Sequence, residues 1–174
     1  ELIENALTVV KNDNDNLPLR HLEKRSIAYV ALGDDKGNTF LEALQRYGEV
    51  TQVMSDNLND LIEQLKNYNT VIVGFHKSND NPWKSYQFKN KELVWLYEIA
   101  RTNNIILNVF AKPYALLDLK TVENFESIVV SYQNSEIAQQ KSAQLIFGGI
   151  SAKGYLPVSV GPNFKVASGI EFPS

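Results

Sequence analysis

Two apolar stretches decide the fold: residues 26–32, Ser-Ile-Ala-Tyr-Val-Ala-Leu, and residues 70–75, Thr-Val-Ile-Val-Gly-Phe. Both are almost continuously apolar, as expected for strands that are buried on both faces of a parallel sheet. Between them, apolar residues recur at helical spacing from Leu58 to Leu65. This alternation of strand and helix continues along the chain and favours a sheet with helices on both faces. Right-handed crossovers then predict a three-layer α/β/α sandwich with a mainly parallel, flavodoxin-like sheet.

The remaining elements follow from the same patterns. We predict that 26–32, 70–75 and 128–132 are central strands, because their runs are apolar on both faces. Further strands are expected at 50–54, 105–110, 127–132 and 156–160, and helices at 39–47, 90–101 and 135–147. Residues 1–10 are compatible with a helical lead-in, and 11–16 with a polar connector. The sandwich domain is predicted to span 21–160, followed by a C-terminal tail or linker at 161–174.

Composition excludes several classes of protein. The chain has 174 residues, of which 44% are hydrophobic and 21% charged, which is typical of one globular domain. Its net charge of −3 argues against a nucleic-acid partner, and it has no cysteine for a disulfide or a thiolate zinc site. No apolar run approaches the roughly 20 residues that span a membrane. Residue 1 is Glu and no signal peptide follows, so we expect a mature piece or a part of a longer gene product.

Ligands of a doubly wound sheet bind beyond the carboxyl ends of its strands. The loops of interest are therefore 33–38, 55–57, 76–90, 111–114 and 132–135. Residues 33–39, Gly-Asp-Asp-Lys-Gly-Asn-Thr, lack the spacing of a dinucleotide fingerprint or a P-loop, and Asp34 and Asp35 would repel a phosphate. We therefore expect no cofactor, and no measurable affinity for flavin, nicotinamide or ATP in a calorimetric titration.

Catalytic and metal-binding patterns do not emerge from the sequence, and no catalytic, cofactor-binding or metal-binding residue is predicted. The two histidines, His21 and His76, lie far apart in sequence and show no metal-ligand spacing. An acidic pair at 34–35 and Lys112-Pro113 are similar to features of response-regulator receiver domains. Strand 70–75 is followed by His76, however, where such a domain needs a phospho-accepting Asp.

The loop from His76 to Lys89 is the most suggestive stretch. Two large aromatic residues of this loop, Trp83 and Tyr86, stand in a polar setting with Asp80 and Asn81 nearby. Aromatic faces with polar neighbours are typical of sugar-binding sites, and equally of loops that pack down or dock on a partner. His76, Asp80, Asn81, Trp83 and Tyr86 are therefore the candidate residues for a sugar-site rim or a docking loop.

Two parts of the sequence resemble the C-terminal domain of glycoside hydrolase family 3. Near the start, residues 6–13 (Ala-Leu-Thr-Val-Val-Lys-Asn-Asp) and 17–19 (Leu-Pro-Leu) are similar to its opening motif. Near the end, residues 125–132 (Phe-Glu-Ser-Ile-Val-Val-Ser-Tyr) lead into 143–149 (Ala-Gln-Leu-Ile-Phe-Gly-Gly) and 151–159 (Ser-Ala-Lys-Gly-Tyr-Leu-Pro-Val-Ser). This resembles the closing signature of the family, a helix ending in Phe-Gly followed by a Gly-x-Leu-Pro-Val strand.

The resemblance implies a barrel domain earlier in the same polypeptide, which carries the nucleophilic Asp, with residues 1–20 as the lead-in from it. In the β-glucosidase-like branch, the sandwich supplies the acid/base Glu from a loop after a central strand. The corresponding stretch here, 76–89, contains no Glu, and Glu92 lies at the start of a helix with Asn90 as its expected cap. The β-N-acetylglucosaminidase-like branch keeps its acid/base on the barrel, and some members carry a β-lactamase-like domain after the sandwich.

The missing Glu and the tail after Val160 both favour the second branch. The expected function is that of a non-catalytic sandwich domain, which buttresses the barrel of a β-N-acetylglucosaminidase and contributes to the shape of its sugar site. The resemblance implies a carbohydrate substrate for the parent, from peptidoglycan, and a periplasmic or secreted location. Two alternatives remain open: a β-glucosidase-like domain that supplies an acid/base, and a free-standing ligand-binding or signalling sandwich.

Overall fold

The computed structural model describes Ile3 and residues 6–78, 86–166 and 168–174. Its sheet has six strands: β1 (Thr8–Asn12), β2 (Ile27–Gly33), β3 (Val50–Gln52), β4 (Thr70–His76), β5 (Ile105–Phe110) and β6 (Ser127–Val130). Within residues 7–78, 86–166 and 168–174, four α-helices accompany it: α1 (Asn38–Gln45), α2 (Leu58–Leu65), α3 (Asn90–Thr102) and α4 (Glu136–Ile146). Short 3-10 helices occur at Asp13–Asp15, Leu22–Lys24 and Pro113–Asp118.

The strand order is β1-β6-β5-β4-β2-β3, with β1 antiparallel to β6 and every other pair parallel. When β1 is left out, the remaining five parallel strands have the flavodoxin-like order. The predicted three-layer sandwich with a mainly parallel sheet is therefore confirmed. The strands β2, β4 and β6 each lie between two neighbours, as predicted for 26–32, 70–75 and 128–132.

Two apolar layers cover the two faces of the sheet. On one face, α2 and α3 contribute Leu61, Leu65, Leu96 and Ile99 to a core with alternate residues of β2, β4 and β5. On the other, α1 and α4 contribute buried residues, including Phe40, Leu44 and Ile146, against Tyr29, Ile72 and Ile106. Since successive side chains of a strand point to opposite faces, the near-continuous apolar runs supply both cores at once. No helix in the described residues is long and apolar enough to cross a membrane.

The chain ends differ from the expectations. The helical interpretation of 1–10 is wrong from Thr8 onward, because residues 8–12 form the edge strand β1 and pair with β6 from the far end of the chain. The strand predicted at 156–160 is also wrong. Leu156 N–H donates to the Ser168 carbonyl and Val160 N–H to the Phe164 carbonyl, so this segment bonds to its own neighbourhood instead of the sheet.

The described residues of the C-terminal segment, 150–166 and 168–172, nevertheless pack against the domain. Ile170 N–H donates to the carbonyl oxygen of Val9 at 2.7 Å, on β1, and Ala152 forms an antiparallel bridge with Phe172. Phe164 is buried. The C-terminal segment therefore covers the edge of the sheet that β1 would otherwise expose.

Candidate functional site

The carboxyl end of the sheet carries a buried polar network centred on His76, the last residue of β4. Its side chain is fully buried, and its ring stacks on Phe110 of β5 with centroids 4.6 Å apart. The ring atom Nε2 lies 2.7 Å from the hydroxyl of Tyr29 on β2. Parallel pairing of β2 with β4 places these two side chains on the same face of the sheet.

The other ring nitrogen connects His76 to two loops. Nδ1 lies 2.7 Å from Oδ1 of Asn134, in the loop between β6 and α4. The Asn134 amide donates to Asp35 Oδ2 at 2.7 Å, and Gln139 donates to Asn134 Oδ1 at 3.1 Å. The network therefore joins the loop after β2 to the loop after β6 across the end of β4.

This arrangement determines where the protons lie. The Asp35 carboxylate only accepts, so the amide nitrogen of Asn134 faces Asp35 and its oxygen faces His76. A neutral His76 ring then carries its proton on Nδ1, and Nε2 accepts the proton of the Tyr29 hydroxyl. The Tyr29 hydroxyl also donates to the carbonyl oxygen of Lys36 at 2.9 Å, so its one proton is shared between two acceptors.

Burial sets the protonation states of this network. It lowers the pKa of His76, and this effect outweighs the opposing influence of the Asn134 hydrogen bond and of Asp35. Burial also raises the pKa of the Tyr29 hydroxyl far above its ordinary value, with a further contribution from Asp35. At neutral pH the pair is therefore an uncharged imidazole and an uncharged phenol.

Three glycines make room for His76. A Cβ atom at Gly37 or at Gly74 would overlap the His76 ring at Nε2, and one at Gly33 would overlap the His76 carbonyl. Gly33 and Gly37 also adopt positive φ angles of 102° and 58°, which side chains disfavour. Glycine at these three positions therefore leaves the space that the buried His76 occupies.

A second polar cluster surrounds Lys77, whose side chain is only 6% exposed. Its Nζ lies 3.7 Å from Asp34 Oδ1 and 3.8 Å from Glu92 Oε1. Glu92 Oε1 also accepts the backbone N–H of Lys89 at 2.8 Å, at the start of α3. The cluster ties the first turn of α3 to the loop after β2.

The expected Asn90 cap is wrong, because Asn90 is the first helical residue and Lys89 occupies the cap position.

The structure places the predicted site residues in different settings. Asp80, Asn81 and Trp83 belong to 79–85, outside the described residues. Tyr86 is half-buried, and its ring centroid lies 6.2 Å from that of the exposed Tyr114. His76 is buried beneath the edge, so its side chain does not form part of an exposed rim. In the described parts of the chain, no group of three His, Asp or Glu side chains could hold a metal ion.

The sequence did not reveal the other members of the His76 network, which are its partners Tyr29 and Asn134 and the Asn134 partners Asp35 and Gln139. Asp35 and Asn134 lie in loops that the sheet order singles out, so a polar residue there was a usable signal. Tyr29 lies within an apolar strand and could not be distinguished from an ordinary core aromatic by its spacing.

No family model and no curated protein sequence matches this chain. Several solved structures do match it. A fungal multi-domain family 3 β-N-acetylglucosaminidase matches with a TM-score of 0.75 and 20% identity, over 97% of this chain and 19% of that chain. A family 3 exo-β-xylosidase matches with a TM-score of 0.72 and 13% identity, over 90% and 24%. A family 3 β-N-acetylglucosaminidase from Paenibacillus sp. str. FPU-7 matches with a TM-score of 0.66 and 14% identity, over 88% and 30%.

At these identities the likeness concerns the fold alone. This chain spans less than a third of the length of each of these three structures. Its α/β sandwich is therefore similar to one part of several larger glycoside hydrolase family 3 proteins.

Proposed function

We propose that this chain is a non-catalytic α/β sandwich domain of a glycoside hydrolase family 3 enzyme that acts on β-N-acetylglucosaminides. In this role it buttresses a catalytic barrel in the same polypeptide and shapes the sugar site through the 76–89 loop. The observation that carries the proposal is the extent of the structural likeness. Nearly the whole chain matches, whereas only 19% of the multi-domain β-N-acetylglucosaminidase is covered.

The contacts between the chain ends support the sequence resemblance. The opening motif includes Ala6 and Leu7, just before β1, and the closing motif includes Gly154. A Cβ atom at Gly154 would overlap the Leu7 carbonyl, so the two segments pack tightly against each other. The close contact requires glycine at position 154, so the glycine of the Gly-x-Leu-Pro-Val segment has a structural role against the opening segment. The two motifs lie near opposite ends of the sequence and meet at one edge of the fold.

The roles of the described carboxylates support the non-catalytic assignment. Glu92 starts α3 and pairs with Lys77, and Asp34 pairs with Lys77 and accepts the N–H of Ser78 at 2.9 Å. Asp35 accepts from Asn134 and from the Gly37 N–H. A general acid must deliver its proton to a substrate, but these oxygens already hold loops and a helix start in place. The acid/base and the nucleophile are then on the barrel.

The β-glucosidase-like alternative has one testable candidate, Glu92, the first Glu after β4. Its side chain is 12% exposed and lies against a lysine ammonium. Its Oε1 accepts the backbone N–H of Lys89 at 2.8 Å and lies 3.8 Å from Lys77 Nζ, so its contacts are those of a residue that holds the start of a helix. This setting favours the structural role.

The test uses the full-length gene product and p-nitrophenyl N-acetyl-β-glucosaminide. Glu92→Gln and Asp80→Asn should each retain turnover within a few-fold, while Trp83→Ala should raise KM or lower stability through lost stacking or docking. Glu42→Gln, on the exposed side of α1, is the matched control. A folded Glu92→Gln or Asp80→Asn variant whose turnover falls about 100-fold, the effect expected for a lost general acid, would refute the non-catalytic assignment.

A further inference from the structure

A basic turn precedes β2 at the amino end of the sheet. It consists of residues 20–25, Arg-His-Leu-Glu-Lys-Arg, and carries three cationic side chains and one carboxylate besides its histidine. The residues that start β2 and β4 lie at this end, whereas His76 ends β4. The length of β4 therefore separates the basic turn from the His76 network by about 20 Å.

The backbone of the basic turn is held in a defined conformation. His21 has a φ of 53°, and the N–H of Lys24 donates back to the His21 carbonyl oxygen at 2.8 Å. The Asn69 side chain donates to the Lys24 carbonyl oxygen at 2.8 Å and accepts the N–H of Ser26 at 3.1 Å. The turn is thus tied to the residue that precedes β4.

The guanidinium group of Arg25 is fixed on this turn. Its Nε donates to the carbonyl oxygen of Arg20 at 2.9 Å, and its Nη1 donates to Thr70 Oγ1 at 2.9 Å. Thr70 is the first residue of β4 and is fully buried. A guanidinium has five N–H donors, so these two bonds orient Arg25 and leave donors for a ligand.

A second guanidinium group lies close to the first. Arg20 is exposed, and its Nη1 donates to the carbonyl oxygen of Asp15 at 2.9 Å. Partial burial lowers the pKa of Arg25, and the charge of Arg20 lowers it further. The two cations therefore lie near enough to repel each other.

Neither guanidinium forms an ion pair with a carboxylate of the described residues. Glu23, the acid of the basic turn, lies 3.9 Å from His21 Nδ1 instead. By contrast, Arg101, at the end of α3, donates to Glu98 at 2.6 Å. The basic turn thus presents two adjacent cations that lack the counter-charge of a comparable exposed arginine.

This combination favours an anion that carries more than one charge. The planar fork of an arginine pairs with two oxygens of a phosphate or a carboxylate. A phosphate group presents oxygens on several sides and a charge of about −1.5 to −2 at pH 7, so it can accept from two guanidinium groups at once. A monocarboxylate has two oxygens and a single charge, which suit one guanidinium.

We propose that Arg20 and Arg25 form a binding site for a phosphate group at the amino end of the sheet. Arg25 is the oriented donor, and Arg20 supplies the second charge. The dissociation constant should be about 1–10 mM, as expected for a small ion at a partly exposed site.

The experiment is an NMR titration of this chain at constant ionic strength and about pH 7.5, where phosphate groups are mostly dianionic. Inorganic phosphate and glycerol phosphate are the probes, and acetate and choline are the comparison ligands. We expect saturable shifts of the Arg25 Nε–H signal and of the amides of residues 20–25 with at least one probe. Tighter binding of glycerol phosphate would identify a phosphate group carried by a larger molecule, and tighter binding of inorganic phosphate would identify the free ion.

Affinity for phosphate should fall about tenfold or more in Arg20→Gln and in Arg25→Gln. Arg20 is exposed, so its variant should keep the fold and decides the matter if Arg25→Gln, which loses the bond to Thr70, does not fold. Arg101→Gln removes an equal charge from the same end of the sheet, and this matched control should bind as the parent does.

Four results would each overturn the proposal. They are the absence of saturable shifts up to about 50 mM phosphate, binding of acetate or choline as tight as that of phosphate, undiminished affinity in Arg20→Gln, and an equal loss of affinity in Arg101→Gln.

Discussion

Acidification should destabilise this protein through His76. Burial lowers the pKa of this side chain in the folded state, while the unfolded chain keeps the ordinary value of 6.5. As the pH falls through 6.5, the unfolded state therefore binds a proton that the folded state refuses. The free energy of unfolding then decreases with falling pH until the pH reaches the lower, folded-state pKa. Above about pH 7 the term vanishes, because the ring is neutral in both states.

The magnitude follows from linkage. One proton corresponds to about 1.4 kcal/mol per pH unit, and between pH 7 and pH 5.5 a fully suppressed site loses about 1.2 kcal/mol. The Asn134 hydrogen bond and the Asp35 charge, which favour the protonated ring, make this figure an upper bound. The Tyr29 hydroxyl, whose pKa burial raises, stays protonated across this range and adds nothing to the slope.

The assay is urea unfolding at four pH values between 5.5 and 7, applied to the parent protein, to His76→Gln and to His21→Gln. His21 is the only other histidine, and its side chain is 76% exposed. The parent and His21→Gln should show the same loss on acidification, whereas His76→Gln should lose about 1 kcal/mol less. Should His76→Gln fail to fold, NMR titration of the ring protons gives the pKa of His76 directly. Equal pH slopes in all three proteins, or a His76 pKa above 6.5, would refute the reasoning.

Three further predictions concern stability, each measured as the free energy of unfolding. Gly74→Ala should cost about 1–3 kcal/mol, because the new methyl group overlaps the His76 ring. Gly48→Ala is the control and should cost far less, because a Cβ atom there meets nothing closer than 4.0 Å. Equal costs for the two variants would contradict the packing argument. Lys77→Met should cost about 3 kcal/mol because it removes the buried ammonium that lies beside Asp34 and Glu92. The added changes Asp34→Asn and Glu92→Gln should recover most of this cost, and no recovery would exclude the charge explanation. Truncation after Val160 should cost about 3 kcal/mol or more, because it removes the buried Phe164 and exposes the edge of β1. Removal of 173–174 alone is the control and should not change the free energy of unfolding. A long truncation that leaves this free energy unchanged would show that the segment is dispensable.

The central sheet was predictable from sequence because its strands carry a signal that is local. Residues 27–32 and 71–75 are almost continuously apolar, and only a strand covered on both faces buries such a run. The prediction for 127–132 overshot by two residues. Tyr132 adopts a φ of 68°, so the chain turns away from the sheet immediately after Ser131.

The edges of the fold were less predictable, because they depend on pairing between distant segments. Residues 8–12 become a strand through β6, more than 110 residues away, and their own sequence does not reveal that partner. Residues 156–160 have strand-like composition, but the sheet edge beside them is already occupied by β1. The candidate site was also only partly predictable. The position of His76 at the end of a strand was evident from the sequence, but its burial was not, because it depends on contacts with Gly37, Gly74 and Tyr29.

The central claim is that this chain is a non-catalytic part of a larger hydrolase. The most direct measurement compares turnover of p-nitrophenyl N-acetyl-β-glucosaminide by this chain alone and by the purified full-length gene product. We predict no turnover above the buffer background for the isolated, folded chain and clear turnover for the full-length protein. Hydrolysis by the isolated chain, or a full-length product that contains no further domain and no glycosidase activity, would contradict the account.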